Sequence, residues 1–367
     1  MRLRDLARYF LYLGTFGFGG PIALAGYMQR DLVEQRGWIT AEEYKRGLAL
    51  AQLAPGPLAA QLAIYLGWVR HRILGATVVA AAFVLPSFLM VLGLAIAYVE
   101  LGGLPWMQGL FYGIGAAVIA IIARSAWKLV KLSVGKDPVL WAVFAASAVT
   151  TGVTEREVIW LFLASGVCVM GARRVLPAAG FAPWLFTGLG ATASFGTVAT
   201  LALFFAQAGA VVFGSGLAIV PFLHGGVVVE HHWLTERQFL DAVAVAMITP
   251  GPVVITVAFI GYLVAGTVGA CAAALGVFLP CYLFVIIPAP YFTRIADNRS
   301  VKAFVDGVTA AATGAIAGAA FVLGRRAIID GQTAAILGAT LLVMWRVKKV
   351  PEPLVIAAAG AIGLLVR

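Results

Sequence analysis

Charged residues are scarce in this chain, and that scarcity sets its class. Only 11% of the 367 residues are Asp, Glu, Lys or Arg, whereas 62% are hydrophobic and the mean hydropathy is +0.98. Soluble domains carry about 25% charged and about 45–50% apolar residues. Segments such as 76–99 and 242–266 are long enough to cross a lipid bilayer. The composition therefore predicts an all-α polytopic membrane protein embedded in lipid.

Several chemical motifs are also missing. Cys168, Cys271 and Cys281 stand apart in apolar runs, so we expect neither a disulfide framework, nor a metal site, nor a cofactor. We find no G-x-x-x-x-G-K-[S/T] phosphate loop, no G-x-S-x-G elbow and no paired catalytic groups. The net charge of +10 comes from basic residues between apolar runs, as in membrane loops. We therefore expect neither an enzyme nor a nucleic-acid-binding protein.

What the chain does contain is an internal repeat. Pro-Gly-Pro interrupts an apolar run at 55–57 and again at 250–252, an offset of 195 residues. The match extends on both sides, to Phe18-Gly19 with Phe213-Gly214, Trp38 with Trp233, Leu85-Pro86 with Leu279-Pro280, and Gly113 with Gly307. A fixed period of this kind predicts two copies of one structural unit.

The repeat divides the chain into four predicted regions. A first repeat covers 1–125, connector transmembrane helices cover 126–204, a second repeat covers 205–326, and C-terminal transmembrane helices cover 327–367. Neither the connector nor the C-terminal region has a counterpart in this alignment.

The positions of lysine and arginine predict that the two repeats are inverted. Loop 100–108 of the first repeat has no basic residue, whereas the matching loop of the second repeat holds Arg294, Arg299 and Lys302. The segment before the second Pro-Gly-Pro motif, in contrast, has only Arg237. Because cytoplasmic loops are enriched in Lys and Arg, the two copies are expected to face opposite sides of the membrane.

The Pro-Gly-Pro motifs predict broken or re-entrant helices. One spanning helix over 47–69 would put its basic flanks on opposite sides, whereas a turn at the motif keeps them together. We therefore predict hairpins at 6–33, 43–69, 205–227 and 238–263; the alternative makes each glycine-rich segment one plain spanning helix. The predicted crossing helices are 74–99, 109–128, 138–154, 158–172, 182–200, 269–292, 303–324, 333–346 and 353–366.

The hairpin tips are the candidate substrate site. Broken helices aim positively polarised N-terminal ends at the membrane midplane, and glycine lets a ligand approach the backbone. The tip residues predicted to offer backbone N–H groups to an anion are Gly17, Gly19, Gly20, Pro55, Gly56, Pro57, Gly214, Ser215, Gly216, Pro250, Gly251 and Pro252. Gln52, Gln61, Thr249 and Thr256 flank the tips, either to donate hydrogen bonds to the anion or to bridge carbonyls at the breaks.

A second set of candidates is electrostatic. Arg30, Arg36 and Lys45 are predicted to form an electropositive vestibule on the cytoplasmic side. Arg124 either attracts a dianion or anchors its helix at the membrane interface. His224 lies inside a motif hairpin, where it either links transport to protons or is a buried neutral side chain.

The motifs FGFGGP, RGWIT and QLAPGP, followed by Leu85-Pro86, resemble the chromate ion transporter family. FGSG, HHWLT and ITPGP of the second copy resemble the same domain, so the chain is similar to long-form members with two fused domains. The resemblance implies a multi-pass carrier of the bacterial inner membrane that exports chromate, with sulfate as a close analogue. Two departures, Ser215 in the second glycine motif and Thr249 in place of Ala54, make the two halves unequal.

Three functions stay open on the sequence. The first is an exporter of chromate, a tetrahedral divalent oxyanion, driven by the membrane potential or an ion gradient through alternating access. The second is a carrier of sulfate or another oxyanion, and the third is an anion channel. The sequence also leaves the oligomeric state open, with a homodimer among the options.

Overall fold

The protein is helical throughout most of its described length, which confirms the predicted all-α class. The computed structural model describes residues 2–18, 20–101, 105–154, 159–174, 196–211, 213–214, 219–292, 298–328, 330–347 and 352–366. Gly19, Ser215 and Gly216, which we predicted as tip residues, lie outside these ranges.

The first half of the chain contains seven helices among the described residues. They are α1 (Leu3–Phe16), α2 (Gly20–Met28, continued by a π-helical segment Gln29–Gln35), α3 (Ala41–Leu53), α4 (Leu58–Leu101), α5 (Pro105–Ser133), α6 (Pro138–Thr154) and α7 (Ile159–Ala172), with a two-residue strand β1 (Gly56–Pro57) before α4. Helix α3 begins at a capping box, in which Thr40 and Glu43 exchange side-chain and backbone hydrogen bonds.

The second half repeats this order. Its elements are α8 (Thr197–Val211), β2 (Phe213–Gly214), α9 (Ile219–His224, continued by a π-helical segment Gly225–Glu230), α10 (Glu236–Ile248), a 3-10 turn (Val253–Ile255), α11 (Thr256–Ile286), a 3-10 turn (Ala289–Tyr291), α12 (Arg299–Ala327), α13 (Gly331–Arg346) and α14 (Glu352–Val366). Thr235 and Gln238 form the same capping box at the start of α10. Helix α8 begins before residue 205, so it spans the predicted boundary between connector and second repeat, and most of the predicted helix 182–200 lies outside the described residues.

Two of the long helices are sharply bent hairpins. The backbone of α4 leaves the helical conformation at His71 and Arg72, and a Cβ on Gly67 would lie 2.5 Å from the Gly75 carbonyl oxygen. Residues eight positions apart along one straight helix cannot touch in this way. Helix α11 has the same break at Ala265 and Gly266. The chain therefore reverses direction there, between the predicted hairpin 43–69 and the predicted crossing helix 74–99.

The chain also reverses at the first two predicted tips. The Tyr9 hydroxyl donates to the Asp31 carboxylate at 3.2 Å, so α1 runs antiparallel to α2 and its π-helical continuation. Gly47 on α3 packs against the Tyr65 ring on α4, so these two helices are antiparallel as well. In both cases the connecting turn is the glycine- or proline-rich motif.

The apolar exterior and the buried centre fit a protein surrounded by lipid. Among the described residues, three helical segments are long and apolar enough to cross a membrane, Leu58–Leu101, Val253–Tyr291 and Arg299–Arg325. The most apolar stretch of Arg299–Arg325 is 72% buried, against 28% in Leu58–Leu101. Helix α12 is therefore central, and α4 presents most of its apolar surface outward.

Glycine residues allow helices of one half of the chain to pack closely against helices of the other half. Gly307 on α12 approaches the Ser165 carbonyl on α7, so that a Cβ there would lie 2.5 Å from the oxygen. Gly113 on α5 approaches the Ala359 carbonyl on α14 in the same way. Helix α12 of the second half thus packs against α7, which follows α5 in the chain. Helix α5 of the first half packs against α14, which follows α12. Close glycine contacts of this kind are typical of helices packed in lipid.

Candidate functional site

The two Pro-Gly-Pro tips are each paired with the glycine-rich turn of the other half. Strand β1 is parallel to β2, with Gly56 opposite Phe213 and Pro57 opposite Gly214. In the other direction, the Gly251 N–H donates to the Gly17 carbonyl oxygen at 2.9 Å. The structure thus brings together tip residues that the sequence placed in four separate hairpins.

Each tip needs glycine at its centre for two reasons. Gly56 and Gly251 have φ angles of +132° and +101°, which other residues rarely adopt. A Cβ on Gly56 would lie 2.6 Å from Nε2 of Gln61 and 2.9 Å from the thiol of Cys281. A Cβ on Gly251 would overlap the Ser87 hydroxyl. The tips are consequently held by close contact as well as by backbone hydrogen bonds.

Ser87 and Cys281 form equivalent seats for the tips. Each follows the proline of its Leu-Pro motif, and each belongs to the half opposite to the tip that it contacts. The Ser87 hydroxyl donates to the Gly14 carbonyl at 3.3 Å, and the Cys281 thiol lies 3.6 Å from the Gly209 carbonyl. Neither residue was among the predicted site residues, although both follow the repeated Leu-Pro, which was a usable signal.

The polar side chains beside the tips bind broken-helix carbonyls. The Gln61 amide donates to the Pro55 carbonyl, Thr249 donates to Val245 at 2.7 Å, and Thr256 donates to Val253 at 2.8 Å. Gln61 is fully buried, and its Oε1 has no hydrogen-bond partner among the described residues. Gln52 is exposed on α3. Gln61 is therefore the one flanking side chain in the described structure with a buried unpartnered acceptor, and this oxygen can accept a hydrogen bond but cannot donate one to an anion.

The predicted vestibule residues lie away from the tips. Arg30 binds Asp31 at 2.7 Å, and the Arg36 guanidinium stacks over the Trp38 ring at 4.6 Å. Lys45 is exposed, ten residues before Pro55 on the same hairpin, which corresponds to about 15 Å of helix. These groups therefore act on an anion at the tips only over a distance. Arg124 is half-buried in α5.

A buried acid was also missed. Asp241 on α10 is 3% exposed and accepts a hydrogen bond from the Tyr98 hydroxyl at 2.8 Å. The repeat gave no signal for it, because its counterpart in the first copy is Arg46. His224, in contrast, is 3% exposed and its Nε2 lies 2.8 Å from the Glu236 carboxylate. This contact favours the prediction that His224 is a buried structural histidine.

These features define a class: a helical membrane protein of two duplicated halves, with broken helices whose tips interlock at the centre. Comparison with known proteins agrees. The family model described as "Chromate transporter" matches residues 4–170 and again residues 199–364. The chain belongs to the chromate transporter family.

Relatives in this family match the chain over nearly its full length. A chromate transport protein of Cupriavidus metallidurans is 59% identical, over 99% of this chain and 93% of the relative. A probable chromate transport protein of Synechococcus elongatus is 54% identical, over 99% and 95%. A chromate transport protein of Pseudomonas aeruginosa is 30% identical, over 100% and 93%. No solved structure matches the chain.

Proposed function

We propose that this protein carries chromate, a tetrahedral divalent oxyanion, out of the cytoplasm across the bacterial inner membrane. The supporting observation is the interlock of tips: Gly56 pairs with Phe213, and Gly251 pairs with Gly17. An anion bound there would contact both halves at once. Relatives of high identity are named chromate transport proteins, which supports chromate as the substrate.

The hydrogen-bond donors proposed for the anion are backbone N–H groups at the N-terminal ends of helices. The Gly251 N–H is already bound to Gly17, and proline has no N–H to offer. The N–H groups of Ala59 and Ala60 in the first turn of α4 have no partner within the helix and carry partial positive charge, whereas the Leu58 N–H belongs to the β1–β2 ladder. We therefore assign anion binding to this turn and to the 3-10 turn Val253–Ile255, with the tips themselves setting its geometry.

Transport in this proposal is alternating access between inverted halves with re-entrant hairpins. If one half rocks against the other, the pairs Gly56–Phe213 and Gly251–Gly17 separate, and the site opens to one side. A dianion leaving a cell that is negative inside gains roughly 2.3 kcal/mol per charge for each 100 mV. The vestibule of Arg30, Arg36 and Lys45 would concentrate anions at the cytoplasmic entrance.

We further propose that each repeat includes the two helices that follow it. Helices α6 and α7 precede α13 and α14 by about the same offset that aligns the rest of the downstream repeat. The contact of Gly307 with Ser165 is then the counterpart of the contact of Gly113 with Ala359. On this proposal the boundaries predicted near 125 and 326 move outward, and both family-model matches span complete repeats.

The test is chromate uptake into everted membrane vesicles under a positive-inside potential, with sulfate as competitor. We expect saturable, potential-driven uptake that sulfate inhibits, and its loss in Gly56→Ala. Gly26→Ala is the matched control, because a Cβ on Gly26 meets nothing within 4 Å. Sulfate uptake without chromate uptake would show that the substrate is sulfate and not chromate. A flux that does not saturate with chromate concentration would show that the protein is a channel and not a carrier.

A further inference from the structure

Asp241 is an ionisable group in an apolar interior. Among the described carboxylates it is the only one that is enclosed by the protein, at 3% exposure. Its α10 neighbours Ala242 and Val243 are fully buried. Several other carboxylates in the described chain pair with arginine, as Glu43 does with Arg70 at 2.6 Å. A buried carboxylate without such a partner is unfavourable in its charged form and marks a functional site in a membrane protein.

The immediate partner of Asp241 is neutral. The Tyr98 hydroxyl on α4 donates to Oδ2 at 2.8 Å. The Tyr98 ring is itself held edge-on by Phe259 at 5.2 Å and by Phe111 at 5.6 Å. The pair joins a helix of the first half to a helix of the second, so it crosses the surface along which the halves would move.

The other charged groups near Asp241 belong mostly to its own helix. Arg237 lies one turn earlier and acts on Asp241 electrostatically, and Glu236 is bound to His224. Among the described residues of α11, none is charged. On α5, Arg124 is 13 residues beyond Phe111, or about 20 Å along the helix.

The remaining packed elements bring little charge, and on α4 the acid Glu100, two residues after Tyr98, is exposed. Glu352 opens α14, which runs antiparallel to α5 with Gly363 against Gly109, so Glu352 lies toward the far end of α5 from Phe111. Glu230, at the end of the π-helical segment after α9, is exposed. The described surroundings of Asp241 are therefore one neutral hydrogen-bond donor, Tyr98, and one cation on its own helix, Arg237, which acts without a hydrogen bond to the carboxylate among the described contacts.

We propose that the Asp241 carboxyl, hydrogen-bonded to Tyr98, binds the proton that this carrier transports together with its oxyanion. A proton is the ligand that one carboxylate can hold, whereas metal cations require several oxygen ligands. The inference rests on the proposed transport function and adds the coupling ion to it.

Electrostatics links the proton to the anion. Asp241 precedes Thr249 at the second tip by eight residues, or about 12 Å of helix. A dianion at the tips therefore favours the protonated, neutral form of Asp241, and by reciprocity the proton favours anion binding. The two ligands bind together and move in the same direction, so each cycle carries one net negative charge outward and the membrane potential must also offset the proton gradient. The counterparts of Asp241 and Tyr98 in the repeat are Arg46 and Phe292, so each chain has one such site.

The experiment uses the full chain in liposomes, with the membrane potential clamped at zero by potassium and valinomycin, and chromate as the probe. With one coupled proton, an acidic outside should drive about tenfold chromate accumulation for each pH unit of gradient. Asp241→Asn mimics the protonated form, so it should equilibrate chromate without accumulating it. Chromate's own protonation is common to both proteins, and the difference between them reports the protein group.

Two further variants assign the effect. Tyr98→Phe keeps the carboxyl but removes the donor to its charged form, so accumulation should persist with a pH profile shifted upward by roughly one to two units. His224→Gln, the matched change at a buried histidine of the same half, should accumulate chromate as the unaltered protein does. Loss of accumulation in His224→Gln with retention in Asp241→Asn would overturn the assignment.

The unaltered protein separates the two proposals. Chromate equilibration without accumulation would overturn proton coupling and leave the transport function standing. No chromate movement under any gradient would overturn the transport function itself, and the coupling with it.

Discussion

Gly251 is the residue at which the interlock is most sensitive to a single methyl group. Its φ of +101° and the overlap that a Cβ would make with the Ser87 hydroxyl both oppose alanine. Strain of this kind costs roughly 1–3 kcal/mol. We therefore expect Gly251→Ala to lower Tm by a few degrees and to remove chromate transport, measured by thermal unfolding in detergent and by vesicle uptake.

Gly93 provides the comparison for this change. It lies in α4, where a Cβ meets nothing within 4 Å, and alanine is the better helix former. Gly93→Ala should keep both Tm and uptake. If Gly251→Ala behaved like Gly93→Ala, the close seat of the second tip on Ser87 would be wrong.

Arg72 is strained where the repeat elsewhere uses glycine. Its φ and ψ are 51° and −141°, close to the 62° and −153° of Gly266 at the equivalent bend of α11. This region is almost confined to glycine, and strain there reaches about 3 kcal/mol. Two terms oppose glycine here. Glycine loses roughly 0.5–1 kcal/mol of backbone entropy on folding, and the Arg72 guanidinium over the Trp68 ring, at 4.7 Å, contributes a similar amount. The backbone strain exceeds their sum. Arg72→Gly should therefore stabilise the protein by about 1 kcal/mol.

The reciprocal change tests the same argument. Gly266→Arg puts the longer side chain into the second bend and should lower Tm, while Arg72→Gly raises it. Both are measured by thermal unfolding in the same detergent. A decrease in Tm for Arg72→Gly would mean that its contact with Trp68 outweighs the backbone strain.

At the scale of helices, an ionic contact holds α7 to α6 and α12. Arg173 binds Asp137 at 2.8 Å and Asp306 at 2.6 Å. The hydrogen bond from Arg173 lowers the pKa of Asp137 below its ordinary value of about 3.9. A lowered pKa stabilises the folded state above pH 4, and this contribution is lost as the pH falls through the lowered value.

Arg173→Gln should therefore lower Tm slightly at pH 7, because half-exposed ion pairs contribute less than about 1 kcal/mol each. Between pH 7 and 5 the difference from the unaltered protein should stay constant, and near pH 2 it should shrink. Arg174→Gln changes the same charge at the next, exposed residue and should have no such effect. A difference that grew on acidification would contradict the sign of the argument.

The repeated elements show what one sequence can and cannot predict. Pro55 and Pro250 align at a fixed offset, and that alignment was enough to predict two equivalent tips. It could not say which turn each tip would meet, because pairing across halves depends on packing rather than on local pattern. The bends in α4 and α11 both fall where the sequence predicts a connection between a hairpin and a crossing helix, at 70–73 and 264–268.

The candidate site was predictable where the two copies agree and not where they differ. The glycine and proline tips could be proposed from the sequence because both halves contain them. Asp241 and Tyr98 were not, since they stand against Arg46 and Phe292 in the other copy. A proton-binding group that is needed once per chain does not appear in both copies of a repeat, so aligning the copies cannot identify Asp241. Its burial in the structure identifies it.

At the scale of the whole molecule, the two halves interlock instead of lying side by side. Each tip is seated in the other half, and α12 packs against α6 and α7 of the first half. A movement of one half against the other therefore changes both tips, the Tyr98–Asp241 bond and the Arg173 contacts together. Such shared contacts are what an all-or-none change between two states requires.

Inversion of the halves is a property of the whole molecule that labelling from each side of the membrane tests directly. Gln35 and Glu230 are equivalent in the repeat, and both are exposed at the ends of their π-helical segments. Single cysteines at these positions, with the exposed Cys168 and Cys271 changed to serine, would report their sides through a membrane-impermeant maleimide. Because basic flanks favour the cytoplasm, Gln35→Cys should react only in inside-out vesicles and Glu230→Cys only in right-side-out vesicles. Reaction of both from the same side would make the repeats parallel, and the two tips could then no longer approach the membrane centre from opposite faces.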